Sequence, residues 1–107
     1  MSANYVDDVK RYQPNANEKA VAGIVKHLGI ALKSNDASTV SCSSKDELAT
    51  VREKWLKKKL ALTEGDAALD AAIAEICAKM KADTRKQRVT FYYLLADKYG
   101  KLGLLGG

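Results

Sequence analysis

The chain is 107 residues long, 47% hydrophobic and 29% charged, which is the make-up of one globular domain and sets aside a disordered or fibrous chain. At this length roughly two-thirds of the unfolded surface is buried on folding, so a core forms without metal or a disulfide framework. Met1 to Asp8 hold no apolar run and no segment approaches the ~20 apolar residues of a membrane span, so neither a secretion signal nor membrane insertion is expected, and a cytoplasmic location is.

Five helices are predicted. The first spans about residues 3–12 with Tyr5, Val9 and Tyr12 on one face, and Pro14 ends it, because the residue before a proline is pushed out of the helical region. The second starts after Asn15 or Asn17, either of which suits an N-cap. Val21, Ile24, Val25, Leu28 and Leu32 form its apolar stripe, and Gly29 weakens or bends its last turns. Residues 34–43 read as a polar connection in which Asp36 caps one short turn that buries Val40. Ser44-Lys45-Asp46-Glu47 is a capping box, in which serine and glutamate satisfy two orphan backbone donors. The third helix follows to about Lys59 and buries Leu48, Val51, Trp55 and Leu56.

Thr63-Glu64-Gly65-Asp66 marks the next start. The fourth helix, about residues 66–81, is alanine-rich and turns Leu69, Ile73, Ile76, Cys77 and Met80 to one side. Asp83 or Thr84 caps the fifth. Its Phe91, Tyr92, Leu95, Ala96 and Tyr99, flanked by Tyr93 and Leu94, make so much of its circumference apolar that it belongs at the centre of the core. Gly100 suits the left-handed position after its end. No stretch reads as a strand. The expected fold is all-α: a compact single-domain bundle of about five helices over residues 3–100, with 101–107 a frayed tail.

Three stretches resemble a known family: Trp55-Leu-Lys-Lys-Lys-Leu60, Ala67-Ala-Leu-Asp-Ala-Ala-Ile-Ala-Glu-Ile-Cys77 and, most specifically, Phe91-Tyr-Tyr-Leu-Leu-Ala-Asp-Lys-Tyr-Gly100. They are similar to the domain of unknown function numbered 2853, over about residues 20–100. The resemblance implies a bacterial, all-helical protein of this length. It implies no activity and carries over no catalytic or ligand residue.

Side chains that do chemistry are few. His27 is the one histidine and lies off the Val21–Leu32 stripe, which reads as solvent exposure. Cys42 and Cys77 are too few for a disulfide framework. A bridge between them stays open, and two reduced thiols are the expectation for a cytoplasmic chain. Cys77 then packs as a small hydrophobe, and Cys42, in a polar connection, is the thiol more open to reaction. One histidine and two cysteines 35 apart give no zinc spacing. Asp66 and Asp70 lie one turn apart, but Asp66 also suits the positive start of its helix. Walker, GxGxxG and GxSxG motifs are missing, and no cofactor is expected. Gly106-Gly107 resembles the end of ubiquitin-like modifiers, which need a β-rich fold.

Charge is the remaining signal. The net charge is +5 and the isoelectric point about 9.2. Residues 52–59 place Arg52, Lys54, Lys57, Lys58 and Lys59 against Glu53, a local +4, and residues 79–88 place Lys79, Lys81, Arg85, Lys86 and Arg88 against Asp83, another +4. Lys54, Lys57 and Lys58 point away from Trp55, whereas Lys59 falls within the apolar face, so the helix ends before it or its stem snorkels. Arg85, Lys86 and Arg88 fall in the first turn of the fifth helix, where the macrodipole disfavours cations. Arg85 and Arg88 read either as ion pairs to an acid such as Asp83 or Glu75, or as an anion contact beside exposed tyrosines. The functional expectation is a non-enzymatic helical module with a macromolecular partner. The alternatives are a nucleic-acid-binding domain using Lys54, Lys57, Lys58, Arg85, Lys86 and Arg88, and a small thiol-dependent enzyme built on Cys42. Apolar side chains outside the core, such as Tyr93 or Leu104, leave the oligomeric state open.

Overall fold

Side chains that fill orphan backbone donors set two of the helix starts in the computed structural model, which describes residues 3–28, 39–81 and 86–105. Helix α1 (Ala3–Lys10) closes earlier than expected, in a turn where the backbone N–H groups of Tyr12 and Gln13 both donate to the Val9 carbonyl, at 3.0 and 2.9 Å. Of the two candidate asparagines, Asn17 caps α2 (Glu18–Leu28): its Oδ1 accepts from the N–H groups of Lys19 and Ala20 at 3.0 and 3.2 Å. Gly29, Leu32 and Asp36 lie outside the described residues.

Ser44 starts α3 (Lys45–Thr50) as expected, its hydroxyl accepting the Glu47 N–H at 3.2 Å. From Val51 the ladder changes. Residues Val51–Lys59 form a π segment, which closes with the Leu60 N–H donating to the Trp55 carbonyl at 2.9 Å. An i→i+5 ladder turns more slowly than an α-helix, so residues four and five apart share a face. That is the spacing of the buried set Val51, Trp55, Leu56 and Leu60. It also resolves the Lys59 conflict: in this register Leu60 replaces Lys59 on the buried face, and Lys59 is half-buried. Ala61 then reverses the chain at φ +55°, a left-handed conformation in a residue that is not glycine.

Helix α4 (Asp66–Lys79) runs as predicted, and α5 starts later, at Arg88, and ends at Lys98. The expected caps Asp83 and Thr84 lie outside the described residues. Two-residue strands, β1 (Thr39–Val40) and β2 (Lys86–Gln87), pair antiparallel with Val40 opposite Lys86, where the sequence offers no strand signal. All residues of α5 from Val89 to Ala96 are buried, and α5 packs against α1, α2, α4 and the π segment, so it is the central helix that its apolar circumference requires. Gly100 holds φ +66° as expected. Residues Leu102–Leu105 of the supposed tail instead wind a 3-10 turn against α2, with Leu102 packed on the core.

The two cysteines are joined. Cys42, between β1 and α3, is bonded to Cys77 on α4 with their Cα atoms 6.0 Å apart, which overturns the reading of two free thiols. The Cys77 side of α4 faces the connection that holds Cys42, a tertiary juxtaposition that spacing alone does not show.

Two stability measurements follow from these features. Reducing the bridge removes the constraint on a 35-residue separation, so urea unfolding with and without reductant is expected to differ by about 3–4 kcal/mol. Ala61→Gly relieves a left-handed conformation that costs about 1–2 kcal/mol, against the ~0.5–1 kcal/mol that glycine adds in chain entropy. Its urea midpoint is expected to rise, by up to about 1 kcal/mol of stability, and a fall would show that Ala61 is unstrained.

Candidate functional site

The slow turn of the π segment sorts its five cations onto two sides. On one side lie Arg52, Glu53 and Lys57, facing the start of α4. Arg52 reaches Glu53 at 2.7 Å and Asp70 at 2.9 Å, and Lys57 reaches Glu53 at 3.0 Å and Asp66 at 2.5 Å. The hydrogen bonds from Arg52 and then Lys57 hold the Glu53 carboxyl below its ordinary range, and the bond from Lys57 does the same for Asp66. A cleft of about 430 Å³ between α3 and α4 includes Arg52 and Asp70 in its lining, so cation and carboxylate are already matched there.

Lys54, Lys58 and Lys59 form the other side, again at spacings of four and five. None of them is ion-paired to a carboxylate among the described residues. Lys54 and Lys58 are exposed. Together with His27 of α2 the three line a second cleft, of about 390 Å³. His27 is exposed, as its position off the α2 stripe predicts, but one face of its ring rests on Trp55, with centroids 5.3 Å apart and planes tilted by 48°. Burial against this floor, and then the charge of Lys59, hold the His27 ring below its ordinary pKa. Trp55 is itself fixed: it is 1% exposed, stacks on Tyr92 at 4.5 Å and donates its indole N–H to the Tyr92 carbonyl at 3.2 Å.

In the second basic cluster Lys79 and Lys81 are exposed, but Arg88 is not a surface group. Arg88 is 8% exposed. Its Nη2 donates to the Thr39 carbonyl at 3.1 Å and to the Glu47 carboxylate, and its Nη1 donates to the Tyr92 hydroxyl at 3.1 Å. An ion pair of an arginine therefore exists, with Glu47; Glu75 pairs with Lys98 at 2.8 Å, and Asp83 lies outside the described residues. Tyr92, on the core face as expected and not exposed as the anion-contact alternative requires, is 5% exposed, and its burial pushes its hydroxyl pKa up, against the pull of Arg88. Lys86 is half-buried in β2 rather than in a helix turn, because its backbone pairs with Val40. Arg85 lies outside the described residues.

Of the six cations singled out in the sequence, Lys54 and Lys58 thus line one cleft, Lys57 is paired with Glu53 and Asp66, and Arg88 is buried among hydrogen-bond partners. His27 and Lys59 join that cleft, although in the sequence His27 is an isolated exposed histidine and Lys59 falls on the apolar face. The 54–58–59 spacing was visible, but it reads as one face only if the helix is known to turn slowly. With the bridge formed, the thiol-enzyme alternative has no free Cys42 thiol to use as nucleophile.

Removing Glu47 tests the structural role of Arg88. Its carboxylate is 26% exposed, so Glu47→Ala is expected to cost about 2–4 kcal/mol, toward the lower end of what breaking a buried pair costs. Glu47→Gln, which keeps an acceptor, is expected to cost about half as much in urea unfolding. A loss under about 1 kcal/mol for Glu47→Ala would show that the pair behaves as a surface one.

No curated protein matches the chain. A family profile does, over residues 4–103, so the chain belongs to the family described as protein of unknown function DUF2853.

Proposed function

We propose that this protein works by binding rather than by catalysis, and that its basic face of Lys54, Lys58 and Lys59 docks an acidic segment of a protein partner. One observation carries the reading. Within a single π segment, the cations facing α4 are matched by Glu53, Asp66 and Asp70, while three on the other side have no carboxylate partner among the described residues and meet at one cleft. Like charges at helical spacing oppose folding by a few tenths of a kcal/mol per pair. Their complement is an anionic surface from outside the molecule.

A protein partner suits this face better than a nucleic acid. Three lysines neutralise about three phosphates, a small share of what sustained nucleic-acid binding uses. Trp55, Tyr92 and Tyr93 are at most 5% exposed, so they offer no platform for stacking bases. A bacterial, cytoplasmic setting belongs to the same proposal, and there the Cys42–Cys77 bridge meets intracellular reductants.

The test uses fluorescence anisotropy with a labelled poly-glutamate peptide and a mixed-sequence single-stranded DNA of equal charge, at low and near-physiological salt. The peptide is expected to bind, more weakly as salt rises. Reversing two charges in K54E/K58E is expected to weaken it about tenfold, whereas the same reversal in K79E/K81E leaves it unchanged. Equal losses in both variants would reduce the effect to net charge, and tighter binding of DNA would return the nucleic-acid reading.

A further inference from the structure

The cleft between His27 and the three lysines is more than a patch of charge. Its cations come from positions 54, 58 and 59 of the π segment, and its fourth member comes from another helix and can change charge near neutral pH. We infer that this cleft is a proton-coupled site for a tetrahedral oxyanion dianion, a phosphate or sulfate group, in which Lys54, Lys58 and Lys59 supply charge and His27 takes up a proton as the anion enters. The inference rests on the basic face proposed above but not on an acidic partner.

The geometry supports each part. His27 lies on Trp55, which stacking and the bond to the Tyr92 carbonyl hold in place, so the imidazole has a rigid floor and an open side. The groups that face it from the π segment are Lys54, Lys58 and Lys59. Lys26 adjoins it on its own helix, and behind Trp55 stands Tyr92 of α5, whose hydroxyl accepts from Arg88. The other elements packed on α2, namely α1 and the 3-10 turn, add no lining residue among those described, and no described carboxylate lines the cleft. An imidazolium is therefore opposed by Lys59 while the cleft is empty, in keeping with the depressed pKa of this ring. A dianion reverses that opposition, and by linkage protonation then strengthens binding of the anion by the same factor. The cleft volume, about 390 Å³, lies near the lower end of small-molecule sites (about 300–1,000 Å³), which leaves room for part of a carrier beside the oxyanion.

Sulfate is the probe, because it stays doubly charged across this pH range while a phosphomonoester itself ionises near pH 6. The chain has one histidine, so its imidazole C–H resonances report His27 without ambiguity. Sulfate titrations of the intact, oxidised protein, at ionic strength matched with chloride, are expected to move those resonances and to give about threefold or tighter binding at pH 5.5 than at pH 8. H27Q is expected to keep the pH 8 affinity and lose the pH dependence. K54A/K58A is expected to weaken binding at both pH values, with circular dichroism confirming the fold. Unmoved His27 resonances, equal affinities at the two pH values in the unaltered protein, or undiminished binding by K54A/K58A would overturn the inference.

Further arms separate the source of the anion and the two proposals. A phosphoserine-bearing acidic peptide that binds about tenfold tighter than both its unphosphorylated form and sulfate assigns the oxyanion to a protein carrier, whereas one no tighter than sulfate assigns it to the free ion. Poly-glutamate binding without any sulfate effect on His27 would sink the oxyanion site and leave the docking face. Proton-coupled sulfate binding without poly-glutamate binding would do the reverse.

Discussion

Arg88 brings a full positive charge into the first turn of the central helix, and the arrangement around it follows from the need to meet that charge. A buried guanidinium is tolerated only when carboxylate and hydrogen-bond partners replace water. Those partners come from three places: Glu47 in α3, the Thr39 carbonyl in β1 and the Tyr92 hydroxyl one turn along α5. One side chain thus fixes the connection before α3, the start of α3 and the start of α5 relative to one another. The constraint also reaches the candidate site. Tyr92 carries Trp55 by stacking and by its carbonyl, and Trp55 carries His27, so the cleft lies at the end of a chain of contacts that begins at Arg88.

The same need explains why the capping box at α3 is only half made. Ser44 accepts from the Glu47 N–H, but the Glu47 carboxylate turns to Arg88, a charged partner worth more than a backbone N–H. The β1–β2 pairing and the Cys42–Cys77 bridge act on this connection too. Three restraints of different chemistry therefore converge on residues 39–47, and their contributions are coupled rather than additive, because loosening one changes what the others must hold.

Local backbone physics made most of the fold legible. Asn17, Ser44 and Gly100 act as their chemistry dictates, and the apolar circumference of α5 placed it at the centre. What stayed hidden depends on partners distant in sequence. Arg88 and Glu47 are 41 residues apart, and Cys42 and Cys77 are 35 apart. The π segment was hidden for another reason. Its sequence fits an α-helix everywhere except at Lys59, so the misfit was visible but its cause was a change of ladder. The candidate site inherited that blindness: Lys54 and Lys58 could be named from exposure, Lys57 looked equivalent to them until Asp66 was placed beside it, and His27 comes from a helix that nothing in the sequence brings to Trp55.

The two sides of the π segment make the strongest argument about function. Both place long cationic side chains four and five residues apart on one segment, but the chain treats them differently. Toward α4 the chain supplies Glu53, Asp66 and Asp70 and the charges are matched. Toward α2 it supplies an imidazole in place of a carboxylate, and three ammonium groups share a cleft with it. A single acidic residue at the His27 position would relieve that repulsion and stabilise the helix pair. Departures from local stability rules concentrate where a surface has a task other than folding, and rare π ladders are frequent at such places. Here both departures fall on the same nine residues, and that coincidence is what supports the proposal that the uncompensated charge is half of an interaction whose other half is an anion.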